Sequence, residues 1–304
     1  MSKIDRVLIV GGTHGNELTG AYFIKKLERA ASQIPQGSPD LLANRSFQIQ
    51  TLLGNPKAFT KGVRYIDQDL NRSFDRQSLQ NSTQCNYEIE RAREIAQSFE
   101  QSSDAAATFI IDLHSTTANM GLTLILDTDA PFTLQLAAHL SAMIPAFKVY
   151  SSVNSGRSND ALRSLSFLSL CIEVGPLAQG TLDADLFQKT EEVVGEILNY
   201  LEQSNRGELQ PYQGELDLYQ YLESVDYPKD SQGNLRAMIH PQLQSRDYEM
   251  LNPGDPMFLT FDYEPIAYNG DSVVYPVFIN EAAYYEKGVA MTLTNKQRLR
   301  LETV

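Results

Sequence analysis

A histidine and a glutamate, His14 and Glu17, stand three residues apart in the glycine-rich stretch G-G-T-H-G-N-E. Imidazole and carboxylate at that spacing on a turn can aim at one point, and the pair suits Zn²⁺. Two nucleotide readings fail on spacing, because the stretch has neither G-x-G-x-x-G nor a G-K-[ST] ending. Taken alone, H-x-x-E also fits a loop histidine beside a helix whose first-turn glutamate complements the dipole. A third ligand alters that balance. His114 closes the run F-I-I-D-L-H at the end of a strand-like segment, and α/β folds gather ligands at the carboxyl ends of strands. Two histidines and one glutamate leave a fourth tetrahedral position for water, the pattern of a catalytic rather than a structural zinc. Asp112 is spaced to support a ligand from behind or to serve a structural role. His139, within a helical pattern, and His240 read as solvated or structural.

Glu173 sits in the apolar run L-C-I-E-V-G-P, where a carboxylate is costly unless paired or functional. Partial burial would raise its pKa toward that of a useful general base, and a nearby metal would oppose the rise. The stretch from Gly54 to Phe74 lacks strong periodicity and carries Arg64, Asn71 and Arg72 among aromatics. An Asn-Arg pair suits a carboxylate, the guanidinium binding it bidentately and the amide adding a donor. Arg163 precedes the Glu173 strand. Each arginine alone could equally be a solvated surface residue.

The elements that must position these groups alternate. Residues 5–11, 47–53, 108–113, 122–126 and 168–174 read as strands, and helical patterns lie from Glu17 to Ala30 and over roughly 85–101, 131–142 and 183–203. That alternation predicts an α/β domain with a parallel or mixed sheet. Beyond S-N-R-G-E-L the periodicity breaks into short apolar pieces punctuated by N-P-G-D-P and N-G. The expected division is therefore a catalytic domain over 1–205 and a smaller β-rich domain over 206–304.

Composition narrows the partners. The 304 residues carry a net charge of -13 with no segregated basic patch, which argues against nucleic acid and anionic membrane surfaces. No run approaches the roughly 18 apolar residues of a membrane span, and the charged start lacks a signal-peptide core. Cys85 and Cys171 are too far apart for a paired zinc motif and suggest reduced thiols. A cytoplasmic protein is expected. The sequence does not decide between a monomer and a homo-oligomer.

The ordered blocks G-G-T-H-G-N-E, G-N-P-K-A-F, V-R-Y-I-D-Q-D-L-N-R-S-F, D-L-H-S-T-T-A-N-M-G, I-E-V-G-P and N-E-A-A-Y-Y-E-K together resemble the aspartoacylase and succinylglutamate desuccinylase family of zinc carboxypeptidase-like amidohydrolases. The resemblance runs over nearly the whole chain. It implies a carboxypeptidase-like α/β domain, with a mixed sheet flanked by helices, capped by a β-rich domain. It further implies one Zn²⁺ per subunit on His14, Glu17 and His114, and Glu173 as the residue that activates water. Arg64 would stabilise the oxyanion, Asn71 and Arg72 would clamp the substrate carboxylate, Arg163 would take the second carboxylate of an acyl-aspartate, and Tyr284 would face the substrate from the C-terminal domain. The implied reaction is hydrolysis of an N-acyl-L-aspartate, foremost N-acetyl-L-aspartate. An acylase for other N-acyl amino acids, a carboxypeptidase and a non-catalytic metal-dependent binder are the alternatives. One position departs from the family pattern: Asn159 stands where the animal enzymes carry a tyrosine, which implies a looser hold on the second carboxylate.

Overall fold

The computed structural model describes residues 3–33, 45–81, 83, 85–101, 107–153, 155 and 160–301. Strand β1 (Ile4–Gly11) leads through the glycine-rich turn into α1 (Leu18–Gln33), and β2 (Gln48–Leu53) is followed by α2 (Pro56–Lys61), α3 (Arg76–Gln80) and α4 (Tyr87–Gln101). Next come β3 (Ala107–Ser115), β4 (Gly121–Leu126), α5 (Pro131–Met143), β5 (Lys148–Ser151), β6 (Leu168–Gly175) and the long α6 (Ala184–Arg206). The C-terminal part holds β7 (Gly214–Val225), β8 (Ala237–Ile239), β9 (Pro256–Thr260), β10 (Pro265–Ala267), β11 (Tyr275–Val277) and β12 (Met291–Leu301). Three 3-10 turns, Leu70–Arg72, Leu162–Leu165 and Ala282–Lys287, carry residues of the site described below.

Among the described residues, nine strands form one mixed sheet in the order β11-β12-β7-β5-β4-β6-β3-β1-β2. The α/β expectation holds. β1 runs parallel to β2 and β3, β3 is parallel to β6, and β4 is antiparallel to β6. The C-terminal strands are continuous with this sheet: β5 pairs with β7 through Tyr150 and Ser151, and β7 pairs along its length with β12. A separate three-stranded sheet, β10-β9-β8, packs its own apolar cluster around Tyr227, Phe258 and Met291.

Strand alternation sorts the side chains into two layers. Val7, Ile9, Phe109, Ile111, Leu113, Leu170, Ile172 and Val174 join the large core that also holds α1, α5 and α6 residues such as Phe23, Leu136 and Ile197. The intervening Leu8, Val10 and Ile110 pack with Ala92 and Ile95 of α4. Asp112 and His114 share the Ile110 face by the same period of two. The parallel register then places Asp112 opposite Cys171 and His114 opposite Glu173, so three polar groups of two strands meet on one face at their carboxyl ends.

Local signals set the connections. Asn55 caps α2 by accepting from Ala58 N, Pro56 opens it, and Gly62 closes it in the left-handed region at φ 66°. Asp183 caps α6 by accepting from Leu186 N, and Gly207 at φ 69° ends it. Helix α1 begins at Leu18 rather than at Glu17. Glu17 belongs to the preceding turn, where its N–H donates to His14 O at 3.1 Å.

Candidate active site

The turn that aims His14 and Glu17 depends on two glycines. Gly12 has φ +66°, which L side chains rarely adopt. At Gly15 a Cβ would lie 2.1 Å from the Ala58 carbonyl carbon, so the turn lies backbone to backbone against α2. Gly15 N donates to Arg64 O at 3.0 Å, which fixes the loop after α2 to the same turn. Glu88, buried at the start of α4, organises that loop. Its Oε1 accepts from Asn55 Nδ2 and Ile66 N at 2.9 and 2.7 Å, and its Oε2 from Asp67 N and Gln68 N at 2.9 and 3.3 Å.

His14, Glu17 and His114 converge, with ligand-capable atoms all within 4.8 Å of one another and all three residues buried. Each imidazole is held from behind by a carboxylate. Asp112 Oδ2 lies 2.9 Å from His114 Nε2, and Asp69 Oδ1 lies 2.9 Å from His14 Nε2. Arg64 Nη2 also comes within 2.9 Å of His14 Nε2. Burial opposes ionisation of Asp69, but His14, Arg64 and Lys287 outweigh it and hold the carboxyl far below its ordinary range. Asp69 is therefore the acceptor and His14 Nε2–H the donor, which makes the Arg64 approach a contact rather than a hydrogen bond.

With both Nε2 atoms committed, both Nδ1 atoms face Glu17. His114 Nδ1 is 2.9 Å from Glu17 Oε2, and His14 Nδ1 is 2.6 Å from Glu17 Oε1. Despite that distance, His14 Nδ1 is buried with no partner in hydrogen-bond geometry among the described residues. A buried nitrogen of this kind is costly in a purely structural role. A dication between the two Nδ1 atoms and the Glu17 carboxylate would satisfy it, and carboxylates behind both imidazoles are the usual support of metal-binding histidines. The donor set fits a metal. Burial opposes the charge on Glu17, yet His14 and His114 pull its pKa well down, while Asp112 and Glu17 lift His114 against its own desolvation.

Glu173 lies beside this cluster, 8% exposed, with no hydrogen bond or ion pair to a described residue. Burial lifts its pKa to about 8; Glu17 and Glu281 add to the rise, and His114 and Arg64 oppose it. Arg64 donates through Nη1 to Glu17 Oε1 at 2.9 Å, with Asp69 Oδ2 3.6 Å from Nη2. Its buried Nε has no hydrogen-bond partner among the described residues.

The remaining expected residues line the same cavity of about 680 Å³. Asn71 Oδ1 accepts from Leu162 N at 3.0 Å, joining the 3-10 turns Leu70–Arg72 and Leu162–Leu165. Its Nδ2 has no partner among the described residues. Arg72 Nη1 donates to Asn71 O at 2.6 Å and to Asp160 Oδ1 at 3.3 Å. Arg163 is bidentate with Asp127, Nη2 donating to Oδ1 at 3.0 Å and Nε donating to Oδ2. Tyr284 reaches the cavity from the C-terminal part, on the 3-10 turn Ala282–Lys287. Asn159 lies outside the described residues. His139, 5.1 Å from the Tyr200 ring, and His240, whose Nδ1 accepts from Gln242 N, are absent from the cavity lining.

Four polar residues went unnoticed in the sequence reading. Asp69 supports His14 and accepts from Lys287 Nζ at 2.9 Å. Asp127 holds Arg163. Glu281 accepts at Oε2 from Thr117 N, Thr117 Oγ1 and Ala118 N at 2.7, 3.0 and 3.2 Å, and also from Thr116 Oγ1, fastening the Tyr284 turn to the end of β3. Asp69 and Glu281 each had a local signal, as an acid capping a short turn, Asp69 through Asn71 N and Glu281 through Ala283 N.

Fold and site together define a mixed α/β protein with a buried His-Glu-His group at strand ends, and the comparisons are specific. Residues 3–201 match the succinylglutamate desuccinylase/aspartoacylase catalytic domain, and residues 214–296 match the AstE/AspA barrel-sandwich hybrid domain. The chain is 52% identical over 297 residues to a "probable aspartoacylase" of Nostoc sp., covering 98% of each. It is 41% identical to an "N-acyl-aromatic-L-amino acid amidohydrolase (carboxylate-forming)" of Mus musculus, covering 97% of this chain and 91% of that one. The crystal structure of murine aminoacylase 3 superposes with a TM-score of 0.91 at 38% identity, covering 100% and 99% of the two chains. The chain belongs to the succinylglutamate desuccinylase/aspartoacylase family of hydrolases. Among the described residues no helix is long and apolar enough to cross a membrane.

Proposed function

We propose that the protein is a zinc-dependent amidohydrolase that cleaves N-acyl-L-aspartate, foremost N-acetyl-L-aspartate, to a carboxylate and L-aspartate. One observation carries this reading: three ligand-capable atoms converge within 4.8 Å of one another beside the buried carboxylate of Glu173, which has no hydrogen bond or ion pair among the described residues. His14, Glu17 and His114 would hold the ion. When bound, zinc supplies concentrated positive charge and a water acidic enough to attack near neutral pH. Glu173 accepts the proton of the attacking water and returns it to the leaving amine. Arg64 places a fixed charge where the carbonyl oxygen becomes negative, which counts for most in a water-poor site. Asn71 Nδ2 and Arg72 clamp the α-carboxylate, Arg163 takes the side-chain carboxylate, and Tyr284 closes the cavity. Residues 1–205 carry the chemistry and 206–304 form the cap.

The names of the relatives support amide hydrolysis on N-acyl amino acids and also keep a second substrate class in view. Arg163 already carries the Asp127 carboxylate, which favours neutral or aromatic acyl-amino acids if that edge of the guanidinium is needed. Glu173→Gln tests the mechanism: bound metal should persist while kcat falls by about 10²–10⁴. Near-normal turnover would remove Glu173 from the role of base. Rates on N-acetyl-aspartate, N-acetyl-glutamate and neutral N-acetyl amino acids would separate the two substrate readings.

A further inference from the structure

We propose that Asp127 is the positioning residue for Arg163 and thereby sets the preference for acyl-aspartates; this rests on the reading of Arg163 as the site of the side-chain carboxylate. The Asp127 carboxylate engages one edge of the guanidinium, Oδ2 with Nε and Oδ1 with Nη2. Nη1 and the second hydrogen of Nη2 have no partner among the described residues. That second edge can receive another carboxylate in a fork-to-fork pair. Arg163 and Asp127 both line the cavity.

Asp127 is itself fixed. It directly follows β4, and Ser152, directly after β5, donates its hydroxyl to Asp127 Oδ1 and its backbone N–H to Leu126 O at 2.8 Å. The guanidinium is therefore anchored to two sheet strands although Arg163 sits on a short 3-10 turn. An arginine without such an anchor would have to be ordered by each substrate, which weakens binding. Asp127 also cancels part of the positive charge. A substrate side chain then needs a carboxylate aligned with the free edge, since unfocused attraction is reduced.

Kinetics on the full-length, metal-loaded protein test this. In Asp127→Asn, an amide nitrogen faces one of the two guanidinium donors and the bidentate hold is lost. Its kcat/KM for N-acetyl-aspartate should fall about tenfold or more, mainly through KM, while N-acetyl-methionine changes by less than about threefold. Ser152→Ala keeps both charges and should shift the same ratio in the same direction by less, which preserves the test if Asp127→Asn folds poorly. Arg163→Ala should lose N-acetyl-aspartate selectively, and adding Asp127→Asn to it should cost nothing further. Equal losses on both substrates in Asp127→Asn and Ser152→Ala, or faster acyl-aspartate turnover, would overturn the role of Asp127. Selective loss in Arg163→Ala without one in Asp127→Asn sinks Asp127 alone. No selectivity in either sinks the reading of Arg163, and this proposal with it.

Discussion

Glu281→Ala tests how the C-terminal part is fastened to the face that carries the His14, Glu17 and His114 group. Glu281 is 4% exposed and accepts at Oε2 from Thr116 Oγ1, Thr117 N, Thr117 Oγ1 and Ala118 N, and at Oε1 from Ala283 N. The two hydroxyls can turn elsewhere, and Ala118 N keeps Thr116 Oγ1 at 3.1 Å. Alanine therefore strands two backbone donors, Thr117 N and Ala283 N. At about 1–3 kcal/mol for each orphaned buried group, the loss is about 4 kcal/mol. For a chain of this size that is roughly a 6 °C fall in Tm. Glutamine can keep its carbonyl at the Oε2 position and strand only Ala283 N, so it should cost about half as much. Glu286→Ala is the control: Glu286 is exposed and accepts one bond, from Tyr65 OH at 2.6 Å, and its loss should stay below about 1 kcal/mol. Scanning calorimetry with urea titration would order the variants. If alanine and glutamine both melt with the parent, the Glu281 network does not fasten the turn and the reasoning fails.

Three further outcomes follow from the same geometry. Asp112→Asn weakens the support behind His114 and should lower zinc affinity about 10–100-fold in a chelator competition; unchanged affinity would leave Asp112 a structural acid. Exhaustive chelation should abolish hydrolysis of N-acetyl-aspartate and added Zn²⁺ should restore it, whereas full activity after chelation would rule out the zinc reading. Burial raises the Asp247 pKa to about 6 against the backbone donors Ile279 N and Asn119 N. A carboxyl raised on folding stabilises the protein fully below its unfolded pKa and loses that contribution as pH rises through the folded one. As pH rises from about 4 to 6, Asp247→Asn should therefore gain Tm relative to the parent, and parallel pH curves would refute the shift.

The residues legible in advance are those whose neighbours in sequence declare them. His114 and Glu173 could be placed because each ends or interrupts a short apolar run, and the strand pairing then sets them side by side. The helices α4, α5 and α6 announced themselves by periodicity. Strand β5 has only four residues and left no pattern strong enough to read. The joining of β7 to β5 rests on two residue pairs between segments far apart in sequence, so nothing local encodes it. Asp127, Glu281 and Lys287 were missed for a related reason. Each lies at the end of an element or on a short turn, and its partner, Arg163, Thr117 or Asp69, is fixed only by the folded sheet.

The charge arrangement gives these distant pairs a common purpose. The described lining residues include six carboxylates, Glu17, Asp69, Asp127, Asp160, Glu173 and Glu281, and four cations, Arg64, Arg72, Arg163 and Lys287. Each of the three arginines already touches a resident carboxylate: Arg64 meets Glu17, Arg72 meets Asp160, and Arg163 meets Asp127. Counted as ionised, the six carboxylates outnumber the four cations by two, and a dication held by His14, Glu17 and His114 would bring the lining to balance. A dianionic ligand thus meets no general positive field, in a protein whose overall charge is -13. What attracts it must be directional: the edges of fixed guanidinium groups and the Asn71 amide that have no partner among the described residues. Fixed, half-satisfied arginines reject a misaligned anion more sharply than free ones, because a carboxylate that enters without finding an open edge is desolvated beside resident carboxylates. On the proposed reading, selectivity in this cavity is therefore built from the acids that hold the arginines as much as from the arginines themselves.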